Sequence, residues 1–163
     1  MSVIATLVVG KDGSTSKNGS SAGVTTSADR GKFLARRRLA DCILIGGNTA
    51  RNEPYYRTPI PVVVVSHSTL NALADNSNAH WWNTSPEIAL ARAIATFGPN
   101  VVIEAGAEMI SRLADLGLVD ALELSVTDVI DGVQPIDYKK LLAKFSIVSE
   151  TQIDSTIFYT ATK

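Results

Sequence analysis

Ala40-Asp41-Cys42-Ile43-Leu44-Ile45-Gly46-Gly47-Asn48-Thr49-Ala50-Arg51 is the stretch that decides the fold. Cys42 to Ile45 form an apolar run with no polar interruption. Such a run fits a strand covered on both faces, as in a parallel sheet. Two glycines then bring bare backbone to the strand's carboxyl end, and a threonine and an arginine follow. A second place of this kind lies at Val101-Val102-Ile103-Glu104-Ala105-Gly106-Ala107. In open α/β sheets, ligands bind beyond the carboxyl ends of the strands. The two strand ends either hold one nucleotide-sized ligand between them or serve only as tight strand-to-helix turns.

The flanking sequence extends the same alternation. Residues 3–9 read as a first strand, apolar on both faces, and residues 61–65 as a β-branched central strand. Further strands are expected at 101–104 and 118–126, and residues 145–148 and 156–160 read as a closing hairpin around a polar turn. Thr26, with Asp29 three residues on, opens a helix over about 27 to 39 that carries Phe33, Leu34 and Leu39 inward. Ser85, Pro86 and Glu87 open a second helix with Leu90, Ile94 and Phe97 on its inner face, stopped by Gly98-Pro99. A third begins at Gly106 and buries Met109, Ile110 and Leu113. Residues 11–23, rich in Gly and Ser, suit a mobile flap over a ligand, and residues 71–82 read as polar and irregular. The expectation is one α/β domain over residues 1–163, in three layers: a mostly parallel sheet, helices on both faces and a C-terminal antiparallel hairpin.

Composition narrows the partners. With a net charge of −1, 45% apolar and 19% charged residues, the chain has no field to draw nucleic acid or an anionic membrane. No apolar run approaches the ~20 residues of a membrane span. Residues 2–9 lack the basic start of a signal peptide, so the cytoplasm is expected. Cys42 lies in an apolar strand and reads as a buried, inert thiol. A single cysteine excludes an internal disulfide.

The polar residues at the strand ends suggest chemistry. A helix starting at Gly106 directs free N–H groups and the positive end of its dipole at whatever lies there, as a pyrophosphate would require. The full G-x-G-x-x-G pattern is absent. Glu104 ends a buried strand, so it either meets a donor on a ligand or caps neighbouring backbone. Asp12, in Lys11-Asp12-Gly13, is either a turn residue or faces the same cleft. Arg36-Arg37-Arg38 form a solvated face or turn one member toward the strand ends, and Arg57 is a second cation. Two such arginines can hold a phosphate by forked hydrogen bonds. His67 and His80 lack metal-ligand spacing and read as surface or cap residues, so no metal is expected. No nucleophile elbow or phosphate-binding P-loop is present. This pattern favours chemistry carried by a cofactor, such as hydride transfer.

Several of these pieces, in order, resemble one family. They are Lys11-Asp12-Gly13, Val24-Thr25-Thr26-Ser27, Arg37 with residues 40–46, Thr49-Ala50-Arg51-Asn52-Glu53-Pro54, Glu104-Ala105-Gly106, Leu118-Val119-Asp120-Ala121-Leu122, and Gly132. Over most of its length the chain resembles the reductase domain of bifunctional riboflavin biosynthesis deaminase/reductase proteins, within the dihydrofolate-reductase-like fold. The resemblance implies an NADPH-dependent reductase that converts the ribose of a phosphoribosylamino-pyrimidine to a ribitylamino group by hydride delivery to the sugar C1. Carried over by motif, Val8, Gly23, Gly46, Thr49, Glu53, Ser66, Gly106, Ala107, Glu108, Met109 and Ile110 would hold NADPH. Ser21, Arg37, Tyr56, Arg57 and Glu104 would face the substrate, with Glu104 and Asp12 as candidate catalytic groups. A homodimer is expected, with Trp81, Trp82 and the closing hairpin as contacts. Ala105 stands where the family carries a glycine, and its methyl group is expected to crowd the cleft. Two alternatives stand beside this reading. One is a nucleotide-binding paralogue without turnover, favoured if Ala105 blocks the substrate side. The other is a pterin reductase of the dihydrofolate type, which needs an acid on the first helix; Asp29 is the only one available.

Overall fold

Strand β1 (Ser2–Val9) lies near the middle of a single eight-stranded sheet. The others are β2 (Cys42–Gly46), β3 (Val62–Val65), β4 (Ala79–Trp82), β5 (Asn100–Ile103), β6 (Ala121–Val126), β7 (Ile147–Ile153) and β8 (Thr156–Thr162). The computed structural model describes every residue from Met1 to Lys163. The strand order is β4-β3-β2-β5-β1-β6-β8-β7. Pairing is parallel as far as β6, and β8 alone runs against its neighbours.

Five helices complete the fold: α1 (Ser27–Arg37), α2 (Gly47–Asn52), α3 (Pro86–Phe97), α4 (Ala107–Asp115) and α5 (Tyr138–Leu142). Helices α3, α4 and α5 close the larger core on one face of the sheet, through Ala89, Leu90, Ile110, Leu113, Leu141 and Leu142 against Leu44, Val63, Ile103 and Leu122. On the other face a smaller core gathers Ile43, Ile45, Val62, Val64 and Val102 under Ala50, Tyr55 and Leu73. Side chains alternate along each strand, so neighbours in sequence serve opposite cores.

Helix α1 lies on the smaller face, but not as its apolar residues suggest. Leu39 is 81% exposed and Leu34 is also exposed; the only buried residue of α1 is Asp29. The inward stripe is polar. Arg36 Nη1 donates to Thr6 Oγ1 at 3.0 Å and Nη2 approaches Glu123 Oε2 at 3.4 Å, while Arg37 reaches Glu104. Two of the three consecutive arginines therefore turn inward, because the strands below present Thr6, Glu104 and Glu123 there.

Three elements, β4, α2 and α5, lie outside the sequence expectation, and a fourth, β7, runs beyond it. β4 falls within the stretch read as irregular; it exists because it pairs with β3, Val62 to Val65 matching Ala79 to Trp82. α2 is six residues and α5 five, too short to show a periodic stripe. β7 continues to Ile153 through Ser149-Glu150-Thr151-Gln152; all its residues are exposed, so no alternation marks it.

Candidate functional site

The sheet divides at its centre. β1 pairs with β5 only from Ser2↔Asn100 to Ala5↔Ile103, but with β6 as far as Val9↔Val126. Beyond Ala5 the two central strands part. Odd residues of β1 turn their carbonyls to the β6 side, where Val3 O accepts from Asp120 N and Val9 O from Thr127 N; Ser2 N donates to Pro99 O on the other side. Val8 therefore directs its N–H and C=O into the gap, one donor and one acceptor side by side. This is also where the chain order reverses, the place an α/β sheet offers to a ligand.

Helix α4 starts at the carboxyl end of β5, which borders the gap, and α2 at that of β2, the neighbour of β5. Thr26, Ser85 and Asp137 cap α1, α3 and α5 with a side-chain oxygen. Gly46 and Gly106, at the starts of α2 and α4, give no side-chain cap. Their first N–H groups are left for an outside acceptor, and an anion gains from the dipole as well. A Cβ on Gly106 would meet nothing within 4 Å, whereas one on Gly46 would come to 3.4 Å from Met109 Cε. In the first turn of α4, Glu108 is exposed, and Ala107 and Met109 are half-buried. Ile110, also expected at the cofactor, is fully buried, and its N–H donates to Gly106 O within the helix.

Beside α2 an open cavity of about 280 Å³ is lined by Gly47, Asn48, Arg51, Val65, Ser66, His67 and Ser68. Ser66, one of the motif residues, lines this cavity. Arg51 and His67 add donors that the motif assignments omit. Arg51 Nη2 donates to Asn48 Oδ1 at 2.7 Å. Gly47 keeps this corner open: a Cβ there would lie 2.7 Å from Ser66 Oγ and 3.1 Å from Arg51 Nη1. Thr49 lies in α2 outside the cavity lining, its carbonyl accepting from Glu53 N.

Glu104 follows the last residue that β5 pairs with β1, and its side chain is 2% exposed. Arg37 Nε donates to Oε1 at 2.8 Å and Nη2 to Oε2 at 2.6 Å; the Tyr55 hydroxyl donates to Oε2 at 2.6 Å. Of the alternatives for Glu104, the structure shows a side-chain ion pair. Burial works against the Arg37 charge, but the hydrogen bond and charge of Glu104 outweigh it and hold the guanidinium above its ordinary value. Burial, with negative Glu104 beside it, pushes the Tyr55 phenol well up, so it stays protonated as the donor. The Arg37 guanidinium also lies 4.4 Å from the Phe33 ring centre and 5.0 Å from that of Tyr55. Tyr55 escaped the sequence reading because neither spacing nor charge marks it.

The other expected site residues either make bonds within the chain or lie exposed. The Asp12 carboxylate accepts from Ser14 N, Ser14 Oγ and Asp131 N. The Ser14 bonds, first that of the side chain, hold its carboxyl below the usual range. It clamps two loops together and is no proton donor at neutral pH. Glu53 accepts from Ser21 N at 2.8 Å and Ser20 Oγ at 3.1 Å. A Cβ on Gly23 would lie 2.1 Å from Lys17 O, so this glycine closes the loop upon itself. The loop over 11–23 is further fastened by Lys11 N to Val129 O, Thr15 N to Val133 O and Lys17 Nζ to Ile130 O. It is tied along its length rather than left as a loose flap. Tyr56 and Arg57 are exposed, with no side-chain hydrogen bond or ion pair within the chain. Ala105 belongs to the larger core, on the face opposite Glu104, so its methyl group does not enter the gap. Cys42 is fully buried and its thiol is pushed up to about 11 by burial and Asp41, as an inert thiol should be.

One further group stands out under α1. Thr6 and Glu123, paired in register, meet Arg36; two residues on, Val8 pairs with Ser125 on the same face. Phe158, the β8 partner of Ser125, lies under Lys32 of α1. Ser125 is 1% exposed, and its Oγ is the only buried side-chain oxygen or nitrogen without a hydrogen-bond partner.

A parallel sheet with a central gap, uncapped helix starts and a reversed C-terminal strand makes this a dihydrofolate-reductase-like fold. A dihydrofolate reductase from Enterococcus faecalis, complexed with NADP(H), matches at TM-score 0.70 and 15% identity over 99% of this chain and 95% of that one. The family model for the RibD C-terminal domain matches residues 1–157, and the chain belongs to that family. A diaminohydroxyphosphoribosylaminopyrimidine deaminase/5-amino-6-(5-phosphoribosylamino)uracil reductase from Thermotoga maritima matches at TM-score 0.70 and 16% identity, over 99% of this chain but only 56% of its own. A pyrimidine reductase-like protein from Corynebacterium diphtheriae matches at 0.70 and 17%, over 99% and 91%. No curated protein matches the chain. No helix is long and apolar enough to cross a membrane.

Proposed function

We propose that this chain is an NADPH-dependent reductase of a phosphorylated ribosylamino-pyrimidine. The observation that carries the reading is the pairing of the central gap with two helix starts that lack side-chain caps. The free N–H groups at Gly106 suit a diphosphate, and the Val8 N–H and C=O suit a carboxamide. Arg51, Ser66 and His67 offer donors to a ribose 2′-phosphate, which distinguishes NADPH from NADH. Bound there, the dinucleotide supplies the hydride. The chain's own residues hold it by backbone, and Arg37 presents a cation near Glu104 for the substrate phosphate. Family membership supports the same class of reaction. Ala105 lies in the larger core, which speaks against its methyl group blocking the substrate side. The test is calorimetric titration of the folded chain with NADPH and NADH. Tight binding of NADPH alone supports the reading; no heat with either nucleotide, reduced or oxidised, overturns it. The cytoplasm and a homodimer remain part of this proposal.

A second reading, a pterin reductase of the dihydrofolate type, is favoured by Asp29, the single buried residue of α1, which accepts a hydrogen bond from Thr25 Oγ1. The partnerless Ser125 hydroxyl lies under the same helix. A carboxylate and a hydroxyl together suit an amino-substituted heterocycle. Consumption of NADPH with dihydrofolate, and none with the ribosylamino-pyrimidine phosphate, would select this reading.

A further inference from the structure

Arg37 uses Nε and one hydrogen of Nη2 on Glu104, and Nη1 makes no bond within the chain. Because Ser125 Oγ is the only buried side-chain polar atom without a partner, Nη1 reaches solvent. The guanidinium thus presents a free edge, and it is held by the carboxylate on one side with the Phe33 and Tyr55 ring centres 4.4 and 5.0 Å from its carbon. A forked donor held in one plane recognises a phosphate better than a freely rotating one, because less motion is lost on binding.

Tyr55 is the hub of this arrangement. Its backbone carbonyl accepts from Asn76 Nδ2 at 2.8 Å and its N–H donates to Glu53 O at 2.9 Å, so the ring is anchored from behind. Its hydroxyl takes up part of the Glu104 charge at Oε2, the oxygen that also receives Arg37 Nη2. Without that hydroxyl, Oε2 loses one of its two donors, and the carboxylate is oriented by Arg37 alone.

We infer that Tyr55 is a positioning residue: through Glu104 it aims the free edge of Arg37 at the phosphate of an anionic substrate. The inference rests on the proposed reading that Arg37 faces that phosphate, and goes beyond it by assigning specificity to a residue that touches no substrate.

The experiment compares binding of ribose 5-phosphate and ribose to the full chain, in wild type, Tyr55→Phe and Arg37→Lys. Tyr55→Phe keeps the ring and its packing. The expected result is that wild type prefers the phosphate-bearing sugar, and that Tyr55→Phe lowers this preference about tenfold with NADPH affinity unchanged. Arg37→Lys should lower it as well, since a point charge cannot replace the fork. If Arg37→Lys loses the preference and Tyr55→Phe keeps it, the positioning role is wrong and the reading of Arg37 survives. If wild type binds both sugars alike, the reading of Arg37 falls and the inference with it. Equal loss of ribose, ribose 5-phosphate and NADPH in Tyr55→Phe would show a merely structural role and overturn the inference.

Discussion

Arg37, in the last turn of α1, and Glu104, at the end of β5, stand 67 residues apart in sequence and meet through two parallel hydrogen bonds of 2.8 and 2.6 Å. This pair joins the helix layer to the sheet beside the gap. Removing one partner leaves a charge in a place made for two. Arg37→Ala should therefore destabilise the fold by about 3 kcal/mol, the low end for a buried pair because one guanidinium edge reaches solvent. The paired change Arg37→Ala with Glu104→Gln should recover part of that loss, since neutral Gln still accepts from Tyr55. Urea unfolding of Arg37→Ala, Glu104→Gln and the double variant checks it; strictly additive losses would mean that the pair carries no coupling.

Gly106→Val offers a cleaner probe of the cofactor site. The position is exposed, its φ of −65° suits any L-residue, and a Cβ meets nothing within 4 Å. The variant should fold with only a small loss of melting temperature, since valine is a poorer N-cap than glycine, and should lose NADPH affinity, because a branched side chain would fill the space a diphosphate needs. Unaltered affinity would remove the helix start of α4 from the site.

At the other end of the proposed nucleotide, discrimination should depend on Arg51. Arg51→Gln is expected to lower the preference for NADPH over NADH about tenfold while leaving NADH affinity as it was. The loss should be greatest at low salt, as the cavity is open and its charges are screened. Comparable loss of both nucleotides would place Arg51 outside the 2′-phosphate contact.

Ser125→Ala separates the needs of a ligand from those of the fold. A buried hydroxyl without a partner lowers stability, so its removal should raise unfolding free energy by about 1 kcal/mol. If the hydroxyl serves a heterocycle bound under α1, the same variant should bind that ligand more weakly. A destabilised variant would show that Ser125 has a partner in solution, such as an ordered water.

A pH dependence follows from Glu87. The hydrogen bond from Arg112 holds its carboxyl down at about 2 from an ordinary 4.5. A lowered carboxylate pKa gives stability that is complete above the ordinary value and is lost as pH falls through the folded one. Wild type should lose stability between about pH 4.5 and 2, and Glu87→Gln should lose less over that interval. The difference should shrink in high salt, since both partners are partly exposed. Identical acid unfolding curves would contradict the pairing.

Much of the fold is legible in the chain. Cys42 to Ile45, Val62 to Val65 and Val101 to Ile103 are buried on both faces, and their unbroken apolar runs say so. Thr26 and Ser85 are the caps they seem, accepting from Asp29 N and Ile88 N. What single motif residues do within the chain is less legible, for reasons specific to each residue. Ile110 shares a turn with usable backbone groups but has its own N–H bonded to Gly106 O. Asp12 and Glu53 carry charges suited to a site, yet both are occupied in tying loops. Leu34 and Leu39 suggested an apolar underside for α1 because nothing local shows that the strands beneath it carry Thr6, Glu104 and Glu123.

The sequence by itself determined the layered α/β fold, the central strands and the glycine-marked ends where a ligand can approach bare backbone, because these depend on local periodicity and on the absence of side chains. Only the tertiary structure decided that Arg37, Glu104 and Tyr55 form one unit, that Ala105 turns away from the gap, and that Val8 opens its backbone into it. Those outcomes depend on which strand lies beside which and in what register, and pairing between segments far apart in the chain leaves no mark on either segment alone.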